Sequence, residues 1–342
     1  MPMSTQSPWR SAAAVRTALV TALASATALT GYGLFSDSGS SSTGQANDTT
    51  VNASPATEST QKPKPKVASF TTADAGACLS WDITPEGKIT NFEQADCAEE
   101  HRFEVSARED LSAYPTAEFG PEAGVPGTAR QAQLREELCR APTLRYLDGR
   151  FDPTGKYSIA PILPPAPAWE NGDRTMLCGL QTTDARGVPQ LTTGKVSERD
   201  QARVYSAQSC LRIEESQTLT EVACGEPHHM EVTSTVNLRE NFPDGYPAGE
   251  AQDEFLADVC TRAGEDYLGG EENLYQSTLQ PYWGAISEDS WRNGSYSVNC
   301  TLVHARDGGG FSTIEGTARE GRGALTIDGG PPEERPERNP RR

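Results

Sequence analysis

The sequence predicts an α+β fold: two tandem repeats of a small disulfide-stapled domain, each an antiparallel sheet with one main helix in the order β-β-β-α-β-β. Three observations predict it. The chain is duplicated internally: "ADCAEEHRFEV" (95–105) matches "VACGEPHHMEV" (222–232), "CRAPTLRYLDG" (139–149) matches "CTRAGEDYLGG" (260–270), and "WENGDRTMLC" (169–178) matches "WRNGSYSVNC" (291–300). Its eight cysteines fall four to each copy, with no Cys-x-x-Cys pair among them. Between the cysteines, hydrophobic spacing switches from strand-like to helical and back at the same places in both copies.

Cys78-Leu79 and Cys210-Leu211 open the copies inside short strands, "ACLSWDI" and "QSCLRI". "KITNFEQADC" and "QTLTEVAC" follow as second strands, with Ile89 and Phe92, or Leu219 and Val222, as their apolar residues. Alternation in "HRFEVSAR" and "HMEVTSTVNL" puts Phe103 with Val105, and Met230 with Val232, on one face of a third strand. After a Pro/Gly-rich loop, "TARQAQLREELC" and "EAQDEFLADVC" place Leu134 and Leu138, or Phe255 and Val259, four apart on one helical face. Strands near 156–162 and 174–181, or 275–280 and 296–303, close each copy. The matching blocks are offset by 132, 127, 121 and 122 residues, so insertions lie between elements, where loops tolerate them.

Outside the copies the composition changes. Arg10 and Arg16 precede a charge-free run from Thr17 to Thr30, so residues 1–35 read as a signal peptide or an N-terminal membrane segment. Leu29-Thr30-Gly31 ends as a lipoprotein signal does, but Tyr32 stands where the acceptor cysteine belongs. A phenol does not form the thioether, and no lipid attachment is expected. Residues 36–70 have the composition of a disordered linker. The copies span 71–183 and 206–305, with a polar linker at 184–205 and a disordered C-terminal tail expected at 306–342.

Residues 1–70 carry five basic and three acidic groups, and residues 313–342 carry six of each, which leaves 19 Lys+Arg against 39 Asp+Glu in the middle. Such a surface repels a phosphate backbone, so no nucleic-acid partner is expected, and membrane association would run only through an uncleaved N-terminus.

An even cysteine count in an exported chain points to disulfides. Four cysteines permit three pairings per copy. The favoured one joins first to second and third to fourth: Cys78–Cys97, Cys139–Cys178, Cys210–Cys224 and Cys260–Cys300. Cys224, Glu226, His228, His229 and Glu231 crowd five potential metal ligands into eight residues. His228 and Glu231, three apart in a strand, should face opposite ways, and disulfide sulfurs are not ligands, so no metal and no cofactor are expected. His101 and His228, with Glu104 and Glu231, recur in both copies and are candidates for recognition as well as for structure. Trp169 and Trp291 precede Asn-Gly and read as core, as do Tyr146 and Tyr267. Trp81 and Trp283 occur in one copy each and are the better candidates for exposed contact. No nucleophile elbow, P-loop or His-Glu-x-x-His motif occurs, and no catalytic residue is assigned.

The order Cys-Leu … Cys-x-x-Pro-His-x-x-Glu-Val … Cys … Trp-x-x-Gly … Cys resembles the septum formation domain of actinobacterial envelope proteins, over both copies. "CGEPHHMEV" carries it best, and the first copy departs from it with Glu100 in the proline's place. The resemblance implies an exported, membrane-associated or secreted protein linked to septum formation in cell division, without enzyme activity. The expected function is a binding or scaffolding module whose partner is a protein or cell-wall component of the envelope. The alternative is a cell-wall hydrolase using the Glu and His residues of the Cys-x3-His-x2-Glu-Val motif.

Overall fold

The computed structural model describes residues 69–114 and 117–338. The expected export segment, most of the linker that follows it, and Tyr32 lie outside the described residues. The first half begins with β1 (Cys78–Ile83), β2 (Ile89–Ala95) and β3 (Phe103–Asp110). A continuous helical run follows: α1 (Thr128–Leu134), a π-helical stretch at Arg135–Cys139, and α2 (Arg140–Tyr146). The half closes with β4 (Tyr157–Ile162), a short helix α3 (Ala166–Glu170), β5 (Thr175–Thr183) and the two-residue β6 (Pro189–Gln190). The second half repeats this plan with β7 (Cys210–Ile213), β8 (Leu219–Val222), β9 (Met230–Asn237), α4 (Leu238–Asn241), α5 (Gly249–Leu268), α6 (Glu271–Ser277), β10 (Gln280–Trp283), α7 (Glu288–Arg292) and β11 (Ser297–Val303). A two-stranded ladder of β12 (Ile314–Glu315) and β13 (Thr326–Ile327) ends it.

The two main sheets are antiparallel and equivalent in order: β4-β5-β3-β1-β2, with β6 paired to the end of β5, and β10-β11-β9-β7-β8. The first hairpins close alike, Ile83 opposite Ile89 and Ile213 opposite Leu219, but the first carries a bulge between Ser80 and Asp82 that the second lacks. Mixed helices and antiparallel sheets make the fold α+β, as the periodicity predicts, and two similar sheet-plus-helix halves fit a repeated domain. All described residues fall in one compact unit.

Each sheet is buried on both faces. In the first half, Leu134 and Cys139 of the helical run meet Met176 and Cys178 of β5 and the Trp169 ring. The opposite face gathers Leu79, Trp81, Phe103, Val105 and Leu177 under Phe70 and Ala73, which precede β1. Gly179 of β5 is where the Phe103 ring and the Glu104 carbonyl approach the backbone, and a Cβ there would fall on both. In the second half, Leu256, Cys260, Val298 and Cys300 pack on the helix side, and Leu211, Met230, Val232, Val303 and Phe311 on the other. Each fully buried Leu or Val contributes about 1.5–3 kcal/mol relative to exposure. The disulfides pair as expected: Cys78–Cys97, Cys139–Cys178, Cys210–Cys224 and Cys260–Cys300.

Four expectations require correction. The buried ridge of α5 is Gln252, Leu256, Cys260 and Gly264, one position off the predicted pair, while Phe255 and Val259 stay half-buried. Gln252 is tolerated there because its amide donates to the Pro247 and Ile286 carbonyls and its oxygen accepts from the Ile286 N–H. The first half of the strand expected at 275–280 is instead the end of α6, whose first turn carries Glu271 and Glu272 at the positive end of the helix dipole, and the strand β10 begins only at Gln280. The linker at 184–205 and the tail at 306–342 are also structured where described. Val196, Gln201 and Ala202 are buried in the former, and Phe311, Ile314, Ala318 and Leu325 in the latter. Each segment is a strap that runs back from the last long strand of its half and bridges the histidine: Thr192 with His101, and Ile314 with His228. Few apolar residues suffice to hold a strap whose backbone is paired.

Candidate functional site

The recurrent His and Glu residues are the anchor points of the straps. His101 and His228 are wholly buried, each with its backbone N–H donating to the strap carbonyl of Thr192 or Ile314. The Nδ1 atoms lie 2.9 and 2.8 Å from the Glu99 and Glu226 carbonyls, so each ring presents an N–H there. Glu104 accepts from the Tyr146 hydroxyl (2.6 Å) and the Val196 N–H (2.7 Å). Glu231 accepts from the Tyr267 hydroxyl (2.6 Å), the Thr317 hydroxyl (2.6 Å) and the Ala318 N–H (2.8 Å). One carboxylate thus ties the third strand, the helix end and the strap together. Tyr146 and Tyr267 lie within the last turns of α2 and α5, not past the helix, and both phenols are pushed up, first by burial and then by the glutamate each donates to.

These residues therefore lie in the interior and not on an open surface. Glu104, Glu231, His101 and His228 are at most 1 % exposed. The tryptophans correct the sequence expectation as well. Trp81 and Trp283, expected as exposed contacts, are buried at 5 % and 8 %, Trp81 stacked on Phe92 and Trp283 beside Asp253. Trp169 is fully buried, and its indole N–H donates to the Ala123 carbonyl. Trp291 sits half-buried at the core's edge, its ring against Tyr246 and Tyr296. Both sit on the short helix before the last long strand, which spacing alone does not reveal.

His228, Glu231 and Cys210 bring one potential ligand atom each within 4.8 Å of one another, correcting the expectation that His228 and Glu231 point apart. His228 lies before β9, in the bridge to Ile314, so strand alternation does not govern it. The Cys210 sulfur is spent in its disulfide and the Glu231 oxygens on the strap, which leaves no thiolate or free carboxylate for a metal.

Open chemistry lies instead in a groove of about 1580 Å³ between the halves. Lys156, just before β4, and three segments line it: the β5–β6 turn with Leu191 and Thr192, the connection Arg203–Tyr205, and the β7–β8 hairpin from Arg212 to Glu226. Threonine hydroxyls at 182, 183, 192, 218 and 220 and the amides of Gln190 and Gln217 dominate its walls. Lys156, Arg186, Arg203 and Arg212 balance Asp184, Glu214, Glu221 and Glu226, so this is a neutral surface on an acidic chain. Arg186 pairs with Asp184 and Arg212 with Glu214. Burial pushes the Lys156 ammonium down. Leu191 and Leu219, 44 % and 36 % exposed, are two large apolar side chains left open to solvent, and both face this groove. β8 forms one wall as the outermost strand of its sheet, and the Tyr205 hydroxyl donates to the Leu219 carbonyl on that side. Sequence reasoning missed the groove, because nothing in the pattern of residues 182–226 shows that these segments fold around one space with Lys156. An exposed Leu in each of two polar hairpins was the available signal.

Among the described residues, no helix is long and apolar enough to cross a membrane. No solved structure matches the chain significantly. Two curated relatives from Mycobacterium tuberculosis, "Uncharacterized membrane protein MT3943" of strain CDC 1551 and "Uncharacterized membrane protein Rv3835" of strain H37Rv, are each 39% identical over 269 residues, 78% of this chain. The chain spans 58% of the length of each. The model of the family described as "Septum formation" matches residues 75–300, from the segment before β1 through most of β11. The match runs across both halves, both disulfide pairs and both strap anchors, and the chain belongs to the septum formation family.

Proposed function

We propose that this chain is a non-enzymatic extracytoplasmic protein of the bacterial cell envelope that binds or scaffolds a partner during septum formation, and that the groove between its halves is the binding surface. In this reading the halves are tandem copies of one domain, and the partner is a protein or wall component. An export signal precedes them and carries no lipid at Tyr32. The groove carries the reading: it is a large concave surface among the described residues, it is polar and charge-balanced, and it keeps Leu191 and Leu219 open. Four disulfides, two in each half, support an oxidising compartment. The family and the relatives' names as membrane proteins support the envelope.

The Glu and His residues that a hydrolase would use are committed to the straps, which argues for binding without turnover. Full-length protein incubated with purified peptidoglycan, and separately with a peptide mixture, should release no product above the blank. Product release that Glu226→Gln or His228→Ala abolishes would overturn the reading.

A further inference from the structure

We propose that a second, smaller notch at the seam of the two halves binds a phosphate group through Arg150, Arg199 and Arg239. The notch measures about 190 Å³, the scale of one small anion and its hydration. Its guanidiniums come from three separate segments: Arg150 from the turn after α2, Arg199 from the first strap, and Arg239 from α4 of the second half.

Among the described residues, ion pairs engage Arg130, Arg135, Arg140, Arg186, Arg212, Arg292, Arg306 and Arg338, but none of these three. Their contacts are to neutral groups. Arg150 reaches the Ser197 carbonyl at 3.4 Å, Arg199 donates to the carbonyl and hydroxyl of Thr193, and Arg239 lies 4.7 Å over the Tyr296 ring. Two acids line the same notch. The Asp200 carboxylate already accepts from the Ala202 and Tyr296 N–H groups and the Ser297 hydroxyl, and Glu198 is exposed. Three cations against two anions make this a basic spot on a chain of net charge −18. The three guanidiniums outnumber the two carboxylates beside them, and an anion placed among them relieves the excess positive charge.

The floor is rigid. Gln201, 2 % exposed, donates its backbone N–H to the Gly294 carbonyl. Its side chain holds the Asp152 N–H and the Arg150 carbonyl at 3.0 and 2.9 Å. Arg150 is thus positioned by the residue that joins the halves. One guanidinium fork satisfies the two coplanar oxygens of a carboxylate, whereas donors from three separate segments suit the several oxygens of a phosphate. Because the arginines come from both halves, the bound anion bridges them. This site is separate from the groove and stands or falls without it.

Calorimetric titration of the full-length chain with inorganic pyrophosphate at low salt tests the proposal. Saturable binding is expected, at least five-fold weaker in Arg150→Gln and in Arg239→Gln, with the melting temperature of each free variant unchanged. Arg145→Gln, an equal charge change on an exposed residue outside the notch, should bind as the parent does. Glutarate should bind at least five-fold more weakly than pyrophosphate. Sedimentation with phosphatidylglycerol vesicles identifies the source. Vesicle binding competed by pyrophosphate assigns the phosphate to a lipid headgroup, and no vesicle binding assigns it to a soluble or polymeric phosphate; either result agrees with the notch. Absence of saturable pyrophosphate binding, equal binding by Arg150→Gln and Arg239→Gln, or equal affinity for glutarate would overturn it.

Discussion

Glu104 and Glu231 show how one side chain can decide whether a domain closes. Each accepts a tyrosine hydroxyl and a strap N–H in the interior, where an unmet partner costs more than the bond contributes. Tyr146→Phe and Tyr267→Phe should each destabilise by about 1.5–3 kcal/mol, the range for hydrogen bonds to a charged group, as read by urea unfolding. Both phenols are raised above the usual tyrosine range, so their stabilisation is fully present below about pH 10 and is lost as pH climbs through the higher folded value. An absorbance titration should find these two among the last of the ten tyrosines to ionise, and Tyr146→Phe should remove one late step. The duplicated His, Glu and Tyr were legible as positions that matter. Their role was not, because each partner lies 36 to 92 residues away and is met only in the folded chain.

Among the elements, hairpins and disulfides were easy to read, since alternation and paired cysteines are local signals. The straps were not. They are rich in Gly, Thr and charge and so resemble linker, yet the second-half offset of 122 residues continues through them: Thr192 to Ile314, Gly194 to Gly316, Val196 to Ala318. Gly194 and Gly316 even repeat one bond, donating to the carbonyls of Cys97 and Cys224. Both sit at positive φ, and a Cβ on Gly316 would strike the Ala324 carbonyl. Ile314 is wholly buried among Leu274, Leu302 and Leu325. Ile314→Ala should cost about 2–5 kcal/mol in chemical denaturation, a core effect that no disordered tail would show. The α6 misreading has the same origin. Ser277 and Leu279 are buried against the strap side of the sheet, and tertiary contact overrode a strand-like spacing.

At the scale of the molecule, the halves are joined by buried polar groups. The Ser295 hydroxyl donates to Asp152, Gln201 donates to Gly294, and Asp200 holds Tyr296 and Ser297. With disulfides intact the described region should unfold in one transition, and Gln201→Ala should broaden it or split it in two, as followed by far-ultraviolet dichroism and tryptophan emission together. No local pattern announces that residues 182–226 and Lys156 fold around one surface. On the proposed function, the groove and not the His–Glu anchors meets the partner. Photo-crosslinking in living cells with benzoylphenylalanine in place of Leu219, Leu191 or Val125 tests it most directly, since all three side chains are exposed but Val125 lies outside the groove. The account predicts one shared adduct from positions 219 and 191 and none from 125. The same adducts at all three positions, or an adduct from 125 alone, would contradict it.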